Sequence, residues 1–96
     1  MTPAEKQEAR ARAKIHAGDL LGILKANPNP SAVSKPVYEC EQLERAIEAF
    51  HMEAIRFRMY SLERFIHHEQ SVAGPDAQRA FADLRAALEA AGFQTR

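Results

Sequence analysis

The chain has 96 residues, 46% of them hydrophobic, with 13 basic and 13 acidic side chains and a formal net charge of zero. Length and hydrophobic share predict one folded domain, 1–96, with a small core, and the charge balance leaves out the net basic footprint of a nucleic-acid-binding domain. A single cysteine excludes an intrachain disulfide, and no run approaches the roughly 18 apolar residues of a membrane span.

The start of the chain, Met1 to Lys14, lacks an apolar leader, so with one unpaired thiol a cytoplasmic setting is expected. Thr2, Pro3 and Glu5 match an N-cap, a proline in the first helical position and a capping-box glutamate, and predict a helix over about 3–26. Ala9, Ala13, Ala17, Leu20, Leu21 and Leu24 supply its apolar face, and Asn27 before Pro28 ends it. Three prolines and two asparagines between Asn27 and Pro36 mark a loop that returns the chain.

No proline or glycine interrupts Val37 to Ala73, which predicts one long helix over about 37–72, a rod of roughly 50 Å. Leu43, Ile47, Phe50, Ala54, Phe57, Ser61 and Phe65 form one stripe on it. Met52, Ile55, Met59, Leu62 and Ile66 form a second stripe, about 100° or more further round. Cys40 falls within this apolar arc, where a buried, inert thiol is expected. Gly74 and Pro75 break the rod, and a third helix over about 75–91 follows, with Ala77, Phe81, Leu84, Leu88 and Ala91 on one face. Gly92 followed by Phe93 predicts a Schellman-type stop.

The fold class is therefore all-α, three helices built on a long central one. Two shorter helices cannot cover both stripes of the rod, so the bundle is expected to be completed by homo-oligomerisation, most simply a two-fold dimer. Met52, Ile55, Met59, Leu62 and Ile66 are the expected interface.

The polar residues inside the arc are the candidates for chemistry. Glu48 and His51 stand one helical turn apart. In a hairpin of the first two helices, positions whose numbers sum to about 62 lie level, which brings His16 toward Ala46 to Glu48. His16, Glu48 and His51 then form a metal-ligand set suited to zinc or iron. The Glu-x-x-His element from Glu48 to His51, with Glu44, resembles the ferritin-like carboxylate-bridged diiron proteins, and that resemblance implies a metal held in a bundle core. Helix 1 departs from the family, because Glu5, Glu8 and Asp19 miss the bridging position. The structural alternative for the same residues is a hydrogen-bonded buried histidine, with Glu44 or Glu48 paired to Arg58 or to a partner chain.

Arg45 and His51 have the Arg-x5-His spacing of HEPN ribonucleases, a further resemblance, although a helical wheel separates the two by about 120°. Arg56, Tyr60 and Arg64 interleave cations with an aromatic ring, but Glu53 and Glu63 are expected to neutralise them, so nucleic-acid binding is not expected. These residues predict a homodimeric, non-enzymatic protein–protein interaction or accessory module. The alternative is a zinc- or iron-binding helical bundle, and a HEPN-like ribonuclease comes third.

Overall fold

Thr2 Oγ1 accepts a hydrogen bond from the Glu5 N–H at 3.2 Å and Pro3 takes the first helical position, so α1 runs over Pro3–Lys25. The computed structural model describes residues 2–68 and 74–96. Ala9, Ala13, Ala17, Leu20 and Leu24 are the buried face of α1, as their spacing predicts. Beyond it the Asn29 N–H donates to Asn27 Oδ1 at 2.8 Å, a local turn bond. A 3₁₀ turn, Pro30–Val33, then leads into α2, Ser34–Glu48.

The expected continuous helix over 37–72 does not form; its last residues, 69–72, lie outside those described. The chain reverses at Ala49 to His51, and α3 starts afresh over Met52–Glu63, followed by a π turn, Arg64–His68. The stop is a complete Schellman-type motif. The His51 N–H donates to the Ala46 carbonyl at 3.0 Å and the Phe50 N–H to the Ile47 carbonyl at 3.2 Å, with Phe50 in the left-handed region at φ 55°. His51 then caps the next helix, its Nδ1 accepting the Ala54 N–H at 3.1 Å.

Packing supplies the reason for the reversal. Pro36, Cys40, Leu43 and Ile47 are buried in α2, and Ile55, Met59, Leu62 and Ile66 are buried in the α3 segment. Each set follows a 4-3-4 spacing, but the second is displaced by one residue, about 100°, from where the first would continue. The continuation would fall on Ala54, Arg58, Ser61 and Phe65, which are instead only half-buried. Two stripes that no single partner could cover on one rod thus face each other once the rod is folded back.

The described residues hold four α-helices in an up-down-up-down bundle, not three. Lys14 pairs with Glu48, and the Cys40 thiol donates to the Ala17 carbonyl at 3.4 Å, fixing α1 antiparallel to α2. Arg58 to Glu39 at 2.9 Å holds α2 to α3, and Arg85 to Glu63 at 3.0 Å holds α3 to α4, Gly74–Ala90. The bundle closes by α4 returning beside α1. The alanine faces of both, Ala9, Ala13 and Ala17 on α1 and Ala77, Ala80 and Ala87 on α4, let them approach closely. The longest dimension, 42 Å, is shorter than the roughly 50 Å rod the uninterrupted helix would need. Folding the rod also matches the helix lengths, so the uncovered stripe that argued for a second chain is covered from within.

Burial of Cys40 follows from its place in this core. Loss of solvent around the sulfur, reinforced by Glu44 and Glu41, pushes its pKa up to about 12, so it stays a protonated thiol.

Candidate interaction surface

The residues expected to hold a metal are parted by the helix break and by the hand of α1. Glu48 is exposed in the last turn of α2 and is bonded to Lys14, whose hydrogen bond and charge draw the carboxyl below its ordinary pKa. His51 is exposed, with Nδ1 committed to capping α3. His16 is half-buried and lies in a shallow groove between α1 and α4, beside Asp19, Asp76 and Asp83. Positions 14 and 16 project about 200° apart on a helix, so with Lys14 turned to α2, His16 is turned to α4. Among the described residues no three His, Cys, Asp or Glu side chains are grouped to hold a metal ion. Arg45 and His51 are likewise divided by the reversal.

The five expected interface residues also separate. Ile55, Met59, Leu62 and Ile66 are fully buried inside the single chain, and Met52 is 51% exposed at the bundle end. Their burial, assigned from the sequence to a second chain, comes from the chain's own helices.

What the folded hairpin does expose is a set of aromatic rings on its outer face. Tyr38 on α2 and Phe57 and Tyr60 on α3 are each more than half exposed. Between the first two lies Arg58, its guanidinium carbon 5.7 Å from the Tyr38 ring centroid and 5.0 Å from that of Phe57. Glu39, buried at 8% exposure, accepts from Arg58 and holds it there. Glu39 and Arg58 are 19 positions apart, roughly 28 Å along a straight helix, and only the reversal at Phe50 makes them neighbours. The Arg58 partner expected from the sequence was Glu44 or Glu48.

Beside this cluster a cavity of about 310 Å³ opens between α2 and the α3 segment, walled by Pro36, Phe57, Tyr60 and Phe65, with Lys35 and Arg64 among its lining residues. Comparison with protein-family models, with curated proteins and with solved structures finds no match for the chain. The character of this face therefore has to be read from its own chemistry.

Its charge differs from the sequence expectation. Glu63, expected to neutralise the α3 cations, turns instead to Arg85 on α4, whose hydrogen bond draws the Glu63 carboxyl below its ordinary pKa. Glu39 is taken up by Arg58. Lys35, Arg56 and Arg64 make no ion pair among the described residues. Glu53 sits in the first turn of α3, where a carboxylate suits the helix dipole. The face thus carries the Glu39–Arg58 pair among its rings, with Lys35, Arg56 and Arg64 beside it making no ion pair among the described residues. The Arg-Tyr-Arg interleaving on α3 was visible in the sequence. Tyr38, Phe57 and Lys35 were missed because Phe57 was placed on an inner stripe and α2 was not folded against α3.

Proposed function

We propose that this chain is a non-enzymatic protein–protein interaction module that works through the outer face of the α2–α3 hairpin. The observation that carries this reading is the grouping of exposed rings on one face, Phe57 and Tyr60 lining a cavity and Tyr38 joined to them through Arg58, each more than half exposed although the chain has a complete core elsewhere. Exposed rings beside a concavity have the composition of contact sites, where aromatic residues and arginine are enriched and supply much of the binding energy. The Glu39–Arg58 pair supports it further, because fixing the rings before contact lowers the ordering cost of association.

A second copy of this chain remains one class of partner for the face, and it would meet Tyr38, Phe57 and Tyr60 rather than Ile55, Met59, Leu62 and Ile66. No helix among the described residues is long and apolar enough to cross a membrane.

The test replaces Tyr60 with a benzophenone amino acid and irradiates cells that make the protein, with the same replacement at exposed Gln78 on α4 as control. A discrete adduct with another polypeptide from position 60 and none from position 78 is expected. An adduct of twice the chain's 10.7 kDa would make that polypeptide a second copy. Equal adducts from both positions, or none from either, would remove the reading.

A further inference from the structure

The geometry points to an acidic amphipathic peptide segment as the occupant of the α2–α3 groove, its apolar side chain seated in the cavity and its carboxylates on Lys35, Arg56 and Arg64. This inference rests on the interaction reading above and adds the chemistry of the partner.

Three observations lead to it. The first is shape: between the two antiparallel helices lies a cavity of about 310 Å³ with apolar walls from Pro36, Phe57, Tyr60 and Phe65, and with Glu39 and Ser61 also in its lining. Such a site accepts an aliphatic or aromatic anchor, as in helix-in-groove recognition. The second is charge. The carboxylates of Glu39 and Glu63 are spent on Arg58 and Arg85, while Lys35 and Arg64 line the cavity; Arg56 and Glu53 on α3 make no ion pair among the described residues, and the one carboxylate leaves the three cations in excess. A chain with zero formal net charge thereby presents a locally positive face, which selects carboxylates over other apolar partners and speeds encounter.

The third observation decides against the competing occupants. Two-fold pairing would bring this patch onto itself and set Lys35, Arg56 and Arg64 against their own copies. Single-stranded nucleic acid needs free ring faces for base stacking and a basic track along its backbone. Here the Arg58 guanidinium already lies over Tyr38 and Phe57, and the cations near the cavity do not form a track along it. A peptide carrying its own carboxylates and one apolar anchor meets neither obstacle.

The full chain is titrated against three fluorescein-labelled probes: a short helical peptide with leucine on one face and glutamate on the other, the same peptide with lysine for every glutamate, and a single-stranded oligo-uridylate. Anisotropy is expected to show binding of the glutamate peptide alone, weakened at least about tenfold by Lys35→Glu with Arg64→Glu, and weakened also by Phe57→Ala. Amide shifts in a labelled sample should cluster at positions 35–39 and 57–65. All three substituted side chains are exposed or line the cavity, and unchanged far-ultraviolet dichroism of each variant verifies the fold. Equal binding of the glutamate and lysine peptides, no effect of the charge reversals, failure of the glutamate peptide to bind, or tighter binding of the oligo-uridylate would each overturn the inference. A position-60 adduct formed with a segment lacking acidic residues would overturn it as well, while leaving the interaction reading standing.

Discussion

Arg85 joins three parts of the chain through one guanidinium. It donates to Glu63 on α3 at 3.0 Å and to the Thr95 hydroxyl at 3.2 Å, and it lies 5.0 Å from the Phe81 ring centroid on its own helix. Thr95, buried at 2% exposure, donates a hydrogen bond from its hydroxyl to the Glu89 carboxylate at 2.9 Å, so the end of the chain is tied to α4 through the same group. A carboxyl held below its unfolded pKa contributes stability that is complete above the unfolded value, near 4.5 for Glu63, and is lost as the pH falls through the lower folded value. Glu63→Gln should therefore lower stability at pH 7 by about 1 kcal/mol, the range for a partly exposed charge-assisted bond. It should also flatten the acid limb of the stability profile below about pH 5. Urea titrations of both proteins across that range check this, and parallel profiles would mean that Glu63 does not meet Arg85.

At the scale of elements, the same terminating motif occurs twice and only one of the two is written in glycine. Gly92, at φ 94°, stops α4 with its N–H on the Glu89 carbonyl and the Phe93 N–H on that of Leu88. Phe50 occupies the equivalent position after α2 at φ 55°, where a β-carbon is strained by roughly 1–2 kcal/mol. Contacts at the bundle end offset that strain. The Arg10 guanidinium lies 4.0 Å from the Phe50 ring centroid and donates to the Ile47 carbonyl at 3.4 Å, and the Phe50 and Phe93 rings stand 6.3 Å apart. Phe50→Gly and Phe50→Ala lose the same ring contacts and differ only in the backbone. In a reversal at φ above zero the glycine variant should be the more stable by about 1 kcal/mol, whereas within a continuous helix alanine would lead by a similar amount. Thermal melts of the two variants read the sign directly.

At the scale of the whole molecule, the hairpin moves the burial of Ile55, Met59, Leu62 and Ile66 from a space between chains to the centre of one. Met52 and Ile55 were equivalent on the second stripe of a rod, and the bundle makes them opposites, one half-exposed and the other fully enclosed. Ile55→Asp should abolish the cooperative transition at every protein concentration, because an unpaired buried charge removes several kcal/mol from a small domain. Met52→Asp should change stability by less than about 0.5 kcal/mol. Dichroism at two concentrations a hundredfold apart distinguishes this from an interface between chains, where both substitutions would make stability depend on concentration.

The ends of α1, the loop after it, the stop at Gly92 and the all-α class were legible in the amino-acid sequence because each has a local cause: a capping side chain, a proline that cannot continue a helix, or a glycine that alone accepts the left-handed region without strain. The register of the α1–α2 hairpin was legible as well, since loop length fixes it, and Lys14 meets Glu48 as that register requires. The reversal at Phe50 has no local cause. Ala49, Phe50 and His51 are all acceptable in a helix interior, and the trace left in the sequence is the one-residue displacement between the burial patterns of α2 and α3, which two stripes on one rod explain equally well. Tertiary packing decided between them, because folding the rod buries eight side chains against one another and against α1 and α4 within one chain. That outweighs the strain at a single residue. The metal set and the aromatic face turn on the same event: the reversal takes His51 off the face it shared with Glu48 and brings Glu39 to Arg58, and neither follows from spacing along the chain.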